Sequence, residues 1–205
     1  MNHKVNSVAN LHADATALYN NVVAGGADTS ADAIIANLAA GITTLQNCWE
    51  GKDAGVQIEN LVLVHNAMVE IRNVLVSLAS DASKIAAYYR EIQNSNGAGL
   101  ETLGAVSTDT KSKLQDYTDD RDTINISQEA NNGKAKIDAA NNAMPGFIQE
   151  VKKYYGQIME NWTAGTGRDA AQGAFDSFLS NSQTYQEKLT DVSNSIATAL
   201  QNYTF

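Results

Sequence analysis

The stretch "NCWEGKDAG", residues 47–55, sets a tryptophan and the chain's only cysteine beside a glycine turn between two apolar-periodic segments. Ahead of it Ile35, Leu38, Ile42, Leu45 and Trp49 are spaced 3, 4, 3, 4, which places them on one stripe of a helix. Asp28, Thr29 and Ser30 precede that stripe as candidate N-caps. After the turn the stripe resumes through Leu61, Val64, Met68, Ile71, Leu75, Leu78, Ala82, Ile85, Tyr89 and Ile92, a seam of the coiled-coil kind. Trp49 continues its stripe by one step and so reads as a wedge pointing into a helical hairpin. Gly51 is the residue that lets the chain reverse.

The pattern recurs. Ile148, Val151, Tyr155, Ile158 and Trp162 repeat the spacing, each 113 positions after its counterpart. Beyond Trp162 the residues Phe175, Phe178, Ser182, Tyr185, Leu189, Val192, Ile196, Ala199 and Tyr203 follow Leu61 to Tyr89 at an offset of 114. The extra residue lies in the turn, which reads Trp162-Thr163-Ala164-Gly165 against Trp49-Glu50-Gly51. Two ladders in register on both sides of a tryptophan–glycine turn imply an internal duplication. Thr166 is a cap candidate for the helix after the second turn, with Asp169 favouring its positive end.

Composition agrees with long helices. Proline occurs once in 205 residues, and aromatics make up 7% of the chain. The net charge is −9, spread over both halves. No basic stripe is available for phosphates, so nucleic acid is not an expected partner. No cationic segment leads into an apolar run at the N-terminus, and no apolar run approaches the length of a membrane span. The sequence therefore predicts a soluble chain without a general secretory signal. One cysteine excludes an internal disulfide framework.

Two segments precede the hairpins. Residues 4–23 carry Val5, Val8, Ala15, Leu18 and Val22 at helical spacing and break at Gly25-Gly26. Residues 107–143 carry the thinner pattern Leu114, Tyr117, Ile124 and Ile137 and break at "MPGF", with Pro145 suited to the first turn of the next helix. Each predicts an extra helix ahead of its hairpin. The expected organisation is a first hairpin over 1–95, a linker over 96–106 and a second hairpin over 107–205. The expected fold is all-α: an elongated antiparallel four-helix bundle of two helix-turn-helix hairpins, with additional shorter helices preceding each. Leu61, Leu75, Leu78, Phe175, Phe178, Leu189 and Val192 are expected in its seams. Asn141 and Ser182 fall among them and need partners.

A Trp-x-Gly turn in an acidic, nearly cysteine-free helical hairpin resembles the WXG superfamily of ESAT-like proteins, over residues 30–93 and 144–205. The motif stands at Trp49 and Gly51; the second copy, at Trp162 and Gly165, departs from it by one inserted residue. Members are helical hairpins that pair antiparallel and are exported by type VII secretion systems of Gram-positive and mycobacterial bacteria. The resemblance implies a non-enzymatic interaction protein, cytoplasmic before export and secreted without a signal peptide. Its expected partners are secretion machinery or a co-secreted effector, without stable membrane insertion. It also implies that the two halves pair within one chain as a pseudo-dimer, either monomeric or dimerising further. A partner-facing cleft beside the tryptophan is the alternative to a purely structural wedge. Family members carry a tyrosine four residues before an acid as an export signal; none of the eight tyrosines here is so followed within the sequence. An intracellular helical adaptor is the alternative role.

The residues of other chemistries are scattered. His3, His12 and His65 show no ligand spacing, and no metal or cofactor is expected. Cys48 has no neighbouring histidine, and Asn161 stands at its equivalent position. The glycines of "AGTGRDAAQG" lack the strand and the lysine of a phosphate loop. The acidic run "DYTDDRDT", residues 116–123, lacks the alternating spacing of a calcium loop and reads as a solvated helix face.

Overall fold

A computed structural model describes residues 4–203; His3 and the side chain of Tyr203, the last position of the second ladder, lie outside it. Helix α1 spans Val8–Ala17 and runs on as a π-helical turn, Leu18–Val23. Four longer helices follow: α2 Ala31–Cys48, α3 Lys52–Ser95, α4 Ala130–Asn161 and α5 Thr166–Tyr203. Short extended segments flank them: β1 Lys4–Val5, β2 Trp49–Glu50, β3 Asn125–Ile126 and β4 Trp162–Ala164. Ser7 and Ser30 cap α1 and α2 by accepting the amides of Asn10 and Ala33, each at 3.3 Å. Of the three cap candidates, Ser30 holds the position. Thr166 is the first helical residue of α5, not its cap.

The chain is all-α and forms an antiparallel four-helix bundle. The α1–α2 track runs antiparallel along α4, marked by Asn161 with Asp14, Asn21 with Tyr154, and Gly146 against Thr29. Helix α3 runs antiparallel to α5, marked by Lys188 with Asn60 and Gly167 against Asp81. Gly41 and Gly133 let α2 and α4 approach closely: a Cβ on Gly133 would sit 3.1 Å from the Leu45 side chain, and one on Gly41 3.1 Å from Ile137 Cγ1. One core cluster runs through both halves and contains Leu61, Leu75, Leu78, Phe175, Phe178, Leu189 and Val192, all buried. Each such side chain contributes roughly 1.5–3 kcal/mol by leaving water.

The two tryptophan turns are built alike. Trp49 pairs with Ile126 and Trp162 with Val5, so each turn is matched by the segment that leads into the other half. The residue before each tryptophan accepts an amide from the residue after the partner segment: Cys48 O from Ser127 N at 3.0 Å, and Asn161 O from Asn6 N at 2.9 Å. The leading segments are offset by 121 rather than 113, and the eight extra residues of the first half lie at the π-helical turn and the loop before α2.

Between the halves the structure departs from the expected organisation. Residues 96–124 form no helix; they are an extended strap, so the connector continues well past 106, and of the separate helix expected over 107–143 only 130–143 is helical, as the first part of α4. Pro145 does not start a helix; it lies inside α4, which begins at Ala130. The strap follows from topology. Helix α4 begins beside Trp49, at the far end of the bundle from the C-terminus of α3, so the chain must travel the whole length of α3 to start its second half. From Asn94, which holds Leu100, to Gly55, which abuts Asp119, the path along α3 is about 58 Å. The strap covers it at about 3.1 Å per residue, the rise of polyproline II.

Candidate partner-binding site at the tryptophan turns

Trp49 closes α2 in extended conformation and is 2% exposed. Gly51 follows at φ 115°, and a Cβ there would stand 2.1 Å from the carbonyl oxygen of Thr123. No L side chain fits that space or that backbone. Gly165, at φ 159°, is close to ordinary extended backbone and is not equivalent to Gly51.

The acidic run of the strap clasps this first turn. The Asp119 carboxylate accepts the Gly51 amide at 3.0 Å and the Arg121 guanidinium at 2.7 and 2.9 Å. Arg121 then reaches Glu50 at 2.8 Å, and Lys52 pairs with Asp122. Arg121 first, and the Gly51 amide second, hold the Asp119 carboxyl well below the usual range. The run is therefore neither a calcium loop nor a helix face but a clamp on the turn.

Beside the clamp lies a groove of about 440 Å³. Trp49, Asp53, Gln57 and Ile124 line one wall, and Asp191 and Thr198 of α5 line the other. The turn of one half thus meets the C-terminal helix of the other. At the opposite end Trp162 is 1% exposed and its indole N–H donates to Ala164 O at 2.7 Å. A second groove there, also about 440 Å³, lies between Leu78 and Asp81 of α3 and Gly167 and Ala170 of α5, with Lys113 of the strap at its edge. Trp162 does not line it. Both tryptophans are wedges, and Trp49 is also the wall of a groove.

The strap rests on features that the apolar ladders do not reveal. Asn66, Asn73 and Asn94 each grip one strap residue by both backbone groups, Leu114, Lys111 and Leu100 respectively, at 2.7–2.9 Å. Arg72 is fully buried; it donates to Asp32 at 3.0 Å, to the Asp109 carbonyl at 2.7 Å, and to the Asp109 carboxylate. Tyr19 donates to the same carboxylate at 2.6 Å. The Tyr19 hydroxyl and the Arg72 guanidinium hold Asp109 well below the usual carboxylate range. The signal in the sequence was asparagine at positions 66, 73 and 94, multiples of seven apart and so on one face of α3.

The polar seam residues find partners: Asn141 donates to Thr190 at 3.0 Å, and the Ser182 hydroxyl donates back to Leu179 O. Burial pushes the Cys48 thiol up, away from the thiolate. Ser83 lies 3.3 Å from His12 Nδ1, but its hydroxyl donates to Gly104 O beneath the strap. Among the described residues no three His, Cys, Asp or Glu converge as metal ligands. By length and composition α3 could cross a membrane, its most apolar 18-residue window having mean hydropathy 1.4; 61% of that window is buried in the bundle.

Fold and turns define a single-chain helical bundle with pseudo-twofold symmetry and a composite groove at one tryptophan turn. No protein-family model, no curated protein and no solved structure matches the chain.

Proposed function

We propose that this protein is a non-enzymatic interaction protein of the WXG kind, a tandem substrate or co-exported chaperone of a type VII secretion system. On this reading it is cytoplasmic until exported, needs no cofactor, and meets secretion machinery or a co-secreted effector. The observation that carries the reading is the groove at Trp49, assembled from the turn of one half and the α5 end of the other. It is the place where the WXG resemblance puts a partner-facing cleft. The intramolecular pairing of the halves supports it, because one chain then supplies what WXG proteins assemble from two.

The test is an immunoblot of culture supernatant from the native organism beside an isogenic strain lacking the type VII motor ATPase, with a cytosolic lysis control. Export that depends on the motor supports the proposal, as does its loss in Trp49→Ala when circular dichroism shows that variant folded. Retention in both strains overturns it in favour of an intracellular adaptor.

A further inference from the structure

We infer that the strap is a severable tether: an endoprotease of trypsin or chymotrypsin specificity cuts it between Lys113 and Asp119, leaving the two hairpins joined as a non-covalent heterodimer. This rests on the fold and not on the export reading.

Three observations carry it. First, the core passes from one half to the other without the strap. No apolar side chain between Ala86 and Ile126 is fully buried, and Leu103, Val106 and Tyr117 are only partly so. Second, the ties of the strap to Arg72, Ser83, Arg90 and the three asparagines all go to α3 of the first hairpin. Cutting it leaves the packing of α2 on α4 and of α3 on α5 unchanged. Third, the anchors are unevenly spaced. They run from Leu100 to Leu114 and resume at Asp119, and of Gln115–Thr118 only Tyr117 is partly covered. Lys113 stands just ahead of this gap, between the anchored residues Lys111 and Leu114; its side chain is 54% exposed and is tied only by a surface ion pair to Glu70. Extended, exposed backbone of this kind is where chains are nicked.

The reaction is hydrolysis. Water adds across the Lys113–Leu114 bond, the carbonyl carbon of Lys113 becomes a carboxylate, and the nitrogen of Leu114 leaves as an ammonium group. Nothing is oxidised or reduced. Severing turns an intramolecular pairing into a bimolecular one, so stability becomes dependent on concentration.

The test is limited trypsin digestion of the full-length native protein, followed by intact-mass spectrometry, light scattering and thermal melts. The expected result is a first cut at Lys113–Leu114, with fragments 1–113 and 114–205 co-eluting at the mass of one chain, 21.9 kDa. Helical circular dichroism is retained, and the melting midpoint of the nicked form rises with concentration while that of the intact form does not. Asn66→Ala is expected to speed the cut roughly tenfold by loosening the strap at Leu114. Separate or aggregated fragments, a first cut inside a helix, or resistance of the strap would each overturn the inference.

Discussion

The side-chain amide of Asn73 holds both backbone groups of Lys111, donating to the carbonyl at 2.8 Å and accepting from the amide at 2.9 Å. Asn66 does the same for Leu114 seven residues earlier on α3, and Asn94 for Leu100 further along. Polyproline II leaves its own backbone groups unpaired. These asparagines supply the missing partners, so the strap is held by its main chain rather than by its side chains.

Removing one such pair exposes the strap backbone to water instead of stranding it, so the cost is modest. Asn73→Ala is expected to lower unfolding free energy by about 1 kcal/mol, and Asn66→Ala with Asn73→Ala by about 2. Urea denaturation with an unchanged slope would confirm it. No change in the midpoint would show that these contacts do not hold the strap.

Arg72 is a different case, because its charge is fully buried and joins α2, α3 and the strap. Arg72→Ala removes the cation that the Asp32 and Asp109 carboxylates share and leaves only Lys111, 3.6 Å from Asp32, beside them, at a cost of about 3 kcal/mol. Arg72→Lys should recover little, since an ammonium lacks the planar fork that serves Asp32 together with the carbonyl and the carboxylate of Asp109. Full rescue by lysine in a thermal melt would contradict this account.

Glycine substitutions separate turn from helix. Gly51→Ala collides with the Thr123 carbonyl and is expected to cost more than about 2 kcal/mol. Gly156 and Gly173 lie in α4 and α5 with open space where a Cβ would go. Their replacement by alanine should stabilise by roughly 0.5–1 kcal/mol each. Differential scanning calorimetry of the three variants reads both signs.

His65 is 3% exposed, and burial holds its imidazole below the ordinary value of 6.5; burial and then Arg90 do the same for His12. The folded state therefore disfavours the proton relative to the unfolded chain. The stability that these histidines contribute is complete above about pH 6.5 and is lost as the pH falls below it. The urea midpoint should drop between pH 7 and pH 5, and His65→Gln should flatten the drop. A slope identical in wild type and variant would remove His65 from the explanation.

Where an apolar period of 3.6 meets a continuous core, the sequence was legible: the first ladder from Ile35 to Ala82, both tryptophan wedges and the seams from Leu61 to Val192 reach the core, with Ser182 and Tyr185 half-buried. Ile92, the last position of the first ladder, is instead 40% exposed beyond the bundle's packing. The strap was not legible, for a physical reason. Leu114 and Tyr117 stand three apart, as do Leu100, Leu103 and Val106, and a spacing of three suits a polyproline II turn as well as a helix. Pro145 misled in the same local way. It suits a first turn, yet α4 carries it in its interior, where Gly146 abuts Thr29 at the break in the facing track. The clamp of Asp119 and Arg121 on Gly51 joins residues about seventy positions apart, beyond the reach of any local pattern.

One chain provides both members of an antiparallel pair, with its tryptophan turns at opposite ends. Trp49 pairs with Ile126 just ahead of α4 and Trp162 follows its end, so the 32 residues of α4 put the turns about 50 Å apart. Spin labels on cysteines at Glu50 and Thr163, with Cys48 replaced by serine, allow double electron–electron resonance on labelled protein diluted in unlabelled protein. The expected result is a single distance of about 50 Å that survives dilution. A distance below about 20 Å, or one that vanishes on dilution, would contradict it.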